Sequence, residues 1–332
     1  MGTLARKAGT CLKCATRTGF PLTFGLNLGT RSYPESVELS QLAERHGFRR
    51  VMFADRPPDP SLEGWTLSTG VAVHTEKVII AHNTLNIPFR NVAITAKMAA
   101  TIDHVSNGRF ALNLVAGWFQ DEFDMFGVNL APHAERYDYA AEWLTLVKRL
   151  WREEDAFDFA GKYFQGQGLW SQPKPLQSPR PPIMNAGSSE TGHAFSARHA
   201  DMNFAMLRQK DADSDRHQIA HLKQLAADQG RSSQCWIHVY VVCRETEREA
   251  RDYLHRYVVE QGDDEAVGNM IRIFGAQSAT LSDDVLVMRS SEMPPAPQGE
   301  GTIPASGDLT CAARHGPEVM LAEAKSHSPV TL

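Results

Sequence analysis

The sequence predicts an α/β protein built as a (β/α)8 barrel. Seven apolar strands each precede an amphipathic helix over residues 22–260. Strands that are apolar along their whole length are typical of a parallel sheet buried on both faces. No Gly-x-Gly-x-x-Gly run follows the first strand, which removes the main support for a dinucleotide-binding sheet. The barrel is therefore the expected architecture, with one unit fewer than the eight of a closed ring.

The strands are short apolar runs bounded by turn residues, many of them rich in branched side chains. In chain order they are predicted at Leu22–Leu28, Arg50–Ala54, Val78–Thr84, Phe110–Val115, Pro182–Ala186, Asp201–Met206 and Trp236–Val242. Lengths of five to seven residues suit a strand and are too short for a helix of a barrel.

Each strand is followed by a segment with apolar residues at helical spacing. In the first such segment, Val37, Leu39, Leu42 and Ala43 lie on one face. The third ends before Asn107-Gly108, and a glycine just beyond a helix is a common stop signal. The seven helices are predicted at Ser36–His46, Leu67–His74, Asn91–Ser106, Arg136–Trp151, Thr191–His199, Ser214–Gln229 and Thr246–Glu260.

The two ends of the chain lack this pattern. Residues 1–20 hold four basic residues, no acid and no apolar stretch, so a disordered leader is expected rather than a secretory signal. Residues 21–288 form the predicted barrel domain, in which Val285–Met288 is the one strand-like segment after Glu260. Residues 289–332 are rich in proline and glycine and predict an irregular tail. The closure of the barrel is therefore expected to be atypical and incomplete, and open strand edges favour a homo-oligomer.

Composition excludes several classes of function. The chain has 332 residues, and 34 Lys and Arg against 39 Asp and Glu give a net charge of −5. A mildly acidic chain is a poor partner for nucleic acid, which requires a dense basic surface. No apolar run is long enough to cross a bilayer, so no membrane partner is expected. The five scattered cysteines suit a reducing compartment, so the expected location is cytoplasmic.

Three places after predicted strands have side chains suited to ligand binding, since barrel sites lie at the carboxyl ends of the strands. Asn113 is polar within an apolar strand and needs a partner, either a ligand or neighbouring backbone. The run 186–189, Ala-Gly-Ser-Ser, opens a helix whose N–H groups suit a phosphate, or whose serines simply cap it. Arg136 and Tyr137 offer donors to phosphate, although Arg136 would also pair with nearby surface acids.

The remaining polar candidates lie on the seventh predicted strand. His238 and Tyr240 share one face of it and point either into the barrel lumen or toward the outer helices. The histidines do not form a His-Glu-x-x-His motif, and no Gly-x-Ser-x-Gly elbow is present. Metal-dependent hydrolysis and serine-nucleophile chemistry are therefore not favoured, and no metal is expected.

Several of these motifs occur in a characteristic order along the chain. They are Lys97–Phe110, Asn113–Trp118 with Glu122, Glu135–Tyr137, Gly161–Phe164 and Ala186–Ser189. In this order they resemble the bacterial luciferase-like flavin monooxygenases, and most of all the reduced-FMN-dependent branch acting on alkanesulfonates, dimethyl sulfone and pyrimidines. The resemblance extends over residues 21–260 and implies the luciferase-like type of TIM barrel.

The resemblance also implies a cofactor and a reaction. The cofactor would be FMN, supplied in reduced form by an NAD(P)H:flavin reductase, and O₂ would oxygenate a small organosulfur or N-heterocyclic substrate. The positions implied near the flavin ring are Asp55, Arg56, Asn113 and Glu122, and those implied around the phosphate are Arg136, Tyr137 and Ser189. The same comparison makes His238 and Tyr240 the candidate catalytic residues.

The chain departs from the alkanesulfonate monooxygenases at two positions. Leu62 stands where they carry a cysteine, and His238-Val-Tyr240 stands where they carry Arg-x-His. The missing arginine disfavours a sulfonate anion as substrate. Two alternatives stay open: an F420- or flavin-dependent hydride-transfer oxidoreductase of the same superfamily, and a truncated, non-catalytic flavin-binding relative. Asn113 and the Arg136-Tyr137 pair favour FMN over the deazaflavin.

Overall fold

The computed structural model describes residues 23–30, 32–205, 212–239 and 241–263. They fall into two compact units. The larger unit spans residues 23–205 and 217–236 and contains the sheet. The smaller comprises, among the described residues, 212–216, 237–239 and 241–263.

The larger unit is organised around a parallel sheet. In chain order the strands are β1 Gly25–Leu28, β2 Arg50–Phe53, β3 Ile79–His82, β4 Leu85–Asn86, β5 Phe110–Val115, β6 Phe157–Ala160, β7 Gln165–Leu169, β8 Ile183–Asn185, β9 Met202–Ala205 and β10 Gln234–Ile237. The sheet runs β1-β2-β3-β5-β8-β9-β10, with the two-residue β4 paired to β5. Strands β6 and β7 form a separate antiparallel hairpin. This strand order, which follows the chain order, is that of a (β/α) barrel.

Helices follow the strands. They are α1 Tyr33–Arg45, α2 Gly64–Ala72, α3 Val92–Val105, α4 Gln120–Met125, α5 His133–Arg152, α6 Glu190–His199, α7 Ala212–Ala227 and α8 Glu247–His255. Side chains cap several of them: Ser32 for α1, Asn91 for α3 and Ser189 for α6 each accept a hydrogen bond from the first turn. Within the described ranges, no helix combines the length and the apolar character that a membrane span needs.

The two faces of the sheet pack in different clusters of buried side chains. Val51, Phe53 and Ile80 point outward and pack with the helices in one buried cluster. Met52, Ala81 and Ala111 alternate with them on the inner face and form a second, smaller cluster. On β5 the outward residues Leu112 and Leu114 belong to the largest core cluster, so Asn113 between them lies on the inner face.

The predicted architecture is confirmed, with corrections to individual elements. The structure adds three elements that the sequence did not predict: β4, the short helix α4, and the β6–β7 hairpin. These are short or glycine-rich and have weak periodicity. The prediction of a seventh strand over 236–242 was wrong in extent, because β10 ends at Ile237 and His238 follows it. The predicted leader, the segment Val285–Met288 and the tail 289–332 lie outside the described residues.

Candidate active site

Asn113 is the clearest indication of a ligand site. Its side chain is fully buried on the inner face of β5. Within the described part of the chain, neither its amide nitrogen nor its amide oxygen has a hydrogen-bond partner. Buried polar atoms are almost always paired, and leaving one unpaired costs about 1–3 kcal/mol. Backbone within these residues does not satisfy the amide, and a ligand stays the predicted partner.

A second buried asparagine lies on the neighbouring strand. Asn86 ends β4 and pairs in register with Val115 of β5. It is 4% exposed, and its Oδ1 has no hydrogen-bond partner among the described residues. Asn86 was not predicted as a site residue, although its sequence context is the same as that of Asn113: a polar side chain between apolar neighbours, here Leu85 and Ile87.

Gly117 follows β5 in the chain and is linked to helix α5 by a hydrogen bond. Its φ is +96°, a conformation that favours glycine. A Cβ added there would lie 2.6 Å from the Phe123 ring and 3.2 Å from Asn86 Oδ1. The Gly117 carbonyl accepts a hydrogen bond from Nη1 of Arg136, whose buried Nε has no partner in the described chain. The glycine therefore allows the chain to pack closely against Phe123 and Asn86, and its carbonyl orients Arg136.

Arg56 and Glu122, 66 positions apart in the chain, form an ion pair. Nε and Nη2 of Arg56 each lie 3.3 Å from Glu122 Oε2. The Arg56 guanidinium also lies over the rings of Trp118 and Phe119, at 5.9 and 5.4 Å from their centroids. The Glu122 side chain is fully buried, and its Oε1 has no partner within the described residues. The pair thus leaves one carboxylate oxygen available to a ligand.

Asp55 precedes Arg56 and is held in a separate cluster. Its carboxylate accepts hydrogen bonds from Arg90 and, at 3.3 Å, from Nε1 of Trp65. Arg90 also lies 3.5 Å from Glu63, which caps helix α2. Burial raises the pKa of Asp55 from 3.8 to about 6, against the opposing effect of Arg90. Asp55 is therefore a buried carboxyl group that titrates close to neutral pH.

Replacing Asp55 by asparagine is expected to change how stability depends on pH. Between pH 3.8 and about 6 the folded protein holds a proton on Asp55 that the unfolded chain releases, so its stability falls as the pH rises. The Asp55→Asn variant lacks this group and should gain stability relative to the parent as the pH rises from about 4 to about 6. Urea unfolding of both proteins at four pH values measures the difference. A difference that does not vary with pH would contradict the raised pKa.

The start of helix α6 forms a close-packed cradle with Tyr137. The hydroxyl of Tyr137 hydrogen-bonds Ser189, whose side chain also accepts the Gly192 N–H at 3.1 Å. A Cβ on Gly187 would overlap this hydroxyl, and one on Gly192 would lie 2.6 Å from it. Burial raises the pKa of Tyr137, which therefore stays a hydrogen-bond donor at neutral pH. A helix N-terminus and two hydroxyls suit an anion.

His133 is a further member of this region that the sequence analysis did not select. It begins α5, one turn before Tyr137, and the two ring centroids are 5.2 Å apart. Burial, followed by the charge of Arg136, lowers the pKa of His133. An anion bound beside Arg136 would oppose that effect. The sequence feature that could have identified His133 is its place just before a predicted helix, four positions before Tyr137.

The structure brings together three pairs of predicted site residues or their neighbours: Arg56 with Glu122, Arg136 with the Gly117 backbone, and Tyr137 with Ser189. The two predicted catalytic residues are not among these pairs. His238 belongs to the smaller unit and is half-buried after β10, whereas Tyr240 lies outside the described residues. The assignment of His238 and Tyr240 therefore stays a prediction.

With this geometry in place, comparison with known proteins identifies the family. Residues 18–287 match the family described as luciferase-like monooxygenase. The chain belongs to this family. The luciferase-like chain is 32% identical over 249 residues to the FMNH2-dependent dimethylsulfone monooxygenase of Pseudomonas putida, covering 73% of this chain and 67% of that protein. It is 32% identical over 295 residues to the pyrimidine monooxygenase RutA of Acinetobacter baylyi, covering 85% and 78%.

Solved structures agree on the fold of this luciferase-like protein. Riboflavin lyase RcaE, solved with modified FMN and riboflavin, matches with a TM-score of 0.68 at 23% identity, over 76% of this chain and 69% of the other. DmoA from Hyphomicrobium sulfonivorans also matches with a TM-score of 0.68, at 19% identity over 77% and 67%. At these identities the likeness concerns the fold alone.

Proposed function

We propose that this luciferase-like protein is an FMNH2-dependent monooxygenase that uses O₂ to oxygenate a small organic substrate. The observation that carries the proposal is a set of unpartnered buried polar atoms that extends from the inner face of the sheet to helix α5. Within the described residues this set belongs to Asn86, Asn113, Glu122 and Arg136, and further unpartnered buried atoms, on Arg50, His82 and Ser196, are not counted in it. Family membership and the dimethylsulfone and pyrimidine monooxygenases among its relatives support the same reaction class.

The available groups fit FMN at both of its ends. The edge of a flavin ring carries N–H donors and carbonyl acceptors, and the amide of Asn113 offers one donor and one acceptor with no partner in the described structure. The flavin phosphate is a dianion. Arg136 offers a fork of donors to it, and Tyr137 and Ser189 offer hydroxyls at a helix N-terminus.

Reduced FMN, when bound, supplies the electrons that activate O₂, and this chemistry belongs to the cofactor. The contribution of the chain is to bind, to orient and to exclude water. Aromatic side chains are suited to excluding water. Trp118 and Phe119 stack with centroids 5.3 Å apart, and Phe89 packs on Phe123 at 4.8 Å. The Arg56–Glu122 ion pair connects the loop after β2 to helix α4 beside these rings.

The proposal extends to partners and location. The reduced flavin would come from an NAD(P)H:flavin reductase, because reduced FMN must be regenerated after each turnover. The active form would be a homo-oligomer, as open strand edges favour. Neither Cys235 nor Cys243 forms a disulfide within the described part of the chain, which suits the proposed cytoplasmic location.

Turnover is expected to consume reduced FMN and O₂ together. A panel of sulfones, sulfonates and pyrimidines, supplied with FMN, NADH and a flavin reductase, should include a substrate whose oxygenated product exceeds the hydrogen peroxide background. Sulfonates should be the poorest class, since the arginine that the alkanesulfonate enzymes carry is replaced by His238. Equally fast turnover without oxygen would contradict oxygenation and support the hydride-transfer alternative. FMN binding without any product would support the non-catalytic alternative.

Replacing Arg136 by alanine is expected to weaken FMN binding by about 2 kcal/mol, the scale of a charge-assisted hydrogen bond to phosphate. This corresponds to a Kd roughly 30-fold higher in a fluorescence titration. Arg152→Ala is a matched control, because Arg152 lies on the same helix with its side chain 73% exposed. Equal FMN affinity of Arg136→Ala and the parent would contradict the phosphate assignment.

A further inference from the structure

Asn86 has a position that neither the family motifs nor the sequence analysis assigned. Its neighbour Leu85 pairs in register with Leu114, and both leucines belong to the outer core. Because side chains alternate across a strand, Asn86 and its partner Val115 lie on the opposite, inner face. That is the face of Asn113, two positions before Val115. Two buried asparagines therefore lie on the same face of two paired strands, near the carboxyl ends of those strands.

The amide oxygen of Asn86 lies beside the backbone of Gly117. A Cβ added at Gly117 would come within 3.2 Å of Oδ1 and 2.6 Å of the Phe123 ring, so only glycine lets the chain pack this closely here. Oδ1 is buried and has no hydrogen-bond partner in the described ranges. A carbonyl oxygen in this state can only accept a hydrogen bond, and the group that satisfies it must bring an N–H or O–H donor.

We propose that Asn86 is an additional binding residue of the site, whose Oδ1 accepts a hydrogen bond from the N–H of a cyclic amide or ureide in the bound ligand. The inference rests on the proposed function. Two molecules carry such an edge: the flavin ring and an N-heterocyclic substrate. A planar N–H group fits better than a sulfone, which has no donor.

A purely structural role for Asn86 predicts a different outcome. An asparagine that stabilises the fold makes hydrogen bonds to it through its amide oxygen or its amide nitrogen, and its loss lowers the melting temperature. The oxygen of Asn86 makes none within the described residues, and the side chain does not cap the turn Ile87–Phe89 that follows it. Replacement by leucine, which has a similar size, should therefore leave the flavin-free protein at least as stable as the parent.

The experiment compares Asn86→Leu with Asn86→Asp in the full chain. The melting temperature is measured without ligand, the Kd of FMN by fluorescence, and the Kd of uracil, a cyclic ureide, by calorimetry with FMN present. We expect Asn86→Leu to raise one of the two Kd values about tenfold, the scale of one hydrogen bond to a buried acceptor. Asn86→Asp keeps the acceptor and should stay within about threefold of the parent.

The outcomes distinguish the flavin from the substrate as the donor, and they distinguish failure of this inference from failure of the proposed function. A raised Kd for FMN identifies the flavin as the donor, whereas a raised Kd for uracil alone identifies the substrate. Unchanged Kd values in Asn86→Leu, or a lower melting temperature, would overturn the assignment while leaving FMN binding by the parent intact. Absence of FMN binding by the parent would contradict the proposed function and this inference with it. None of these measurements requires turnover.

Discussion

Replacing Asn113 by leucine is expected to stabilise the flavin-free protein and to weaken flavin binding strongly. The amide is fully buried with both polar atoms unpartnered in the described structure, so it opposes folding unless a ligand is bound. Leucine fills a similar volume without polar atoms and should raise the free energy of unfolding by about 1–2 kcal/mol. It should also weaken FMN binding on the order of hundredfold, because the flavin edge would then be buried against an apolar side chain.

A second asparagine provides the matched control for this experiment. Asn185 is equally buried, but its Nδ2 donates to the Leu114 carbonyl at 3.1 Å and its Oδ1 accepts from the Gly187 N–H at 3.0 Å. Asn185→Leu removes both bonds and should lower the free energy of unfolding by about 2 kcal/mol. Urea unfolding and FMN titration of both variants measure the contrast. If Asn113→Leu is destabilised as much as Asn185→Leu, the Asn113 amide has a structural partner.

Replacing Gly64 by alanine should destabilise the fold by about 3 kcal/mol, as overpacking against backbone does. Gly64 begins helix α2, and an added Cβ would lie 2.6 Å from the Ala54 carbonyl oxygen and 3.2 Å from Cδ2 of His82. The Ala54 carbonyl is backbone directly after β2, and His82 is completely buried. Neither can move cheaply. The gain in helix propensity, at most about 1 kcal/mol, does not offset the clash.

Gly29→Ala is the control for Gly64→Ala. Gly29 follows β1, is exposed, and has no atom within 4 Å of an added Cβ. Its replacement should change the free energy of unfolding by less than about 0.5 kcal/mol, as for an ordinary surface site. Chemical denaturation of the two variants and the parent measures the effect. Equal stability of both variants would show that helix α2 can move away from β2 without cost.

The unpartnered polar atoms of the candidate site oppose the stability of the fold that holds them. Asn86, Asn113, Glu122 and Arg136 each hold a buried polar atom without a partner in the described residues. Such atoms destabilise the unliganded state, and substitutions that remove them are expected to stabilise it while impairing binding. The proposed cofactor is the group that would satisfy them.

The fold was predictable because its signals are local. The positive φ of Asn107 and Gly108 after α3 confirms the helix end that this pair predicted, and Ser189 caps α6, which was one of the two roles considered for it. The elements that escaped prediction are those without a strong period, such as the hairpin with strand Gln165–Leu169. Asn113 was identifiable for the same local reason, since a polar residue stood alone in an apolar strand.

The sequence by itself determined the order and type of the elements and the residue types available at the ends of the strands. It did so because hydrophobic periodicity and helix capping act within a few positions of the chain. Only the tertiary structure decided which of those residues meet. Glu122 pairs with Arg56 across 66 positions, and Asp55 pairs with Arg90 across 35. Such contacts depend on how the sheet curls and how the helices pack against it, and no local pattern encodes them. The same holds for the unpartnered amides, because whether a buried polar atom finds a partner depends on every element that packs around it.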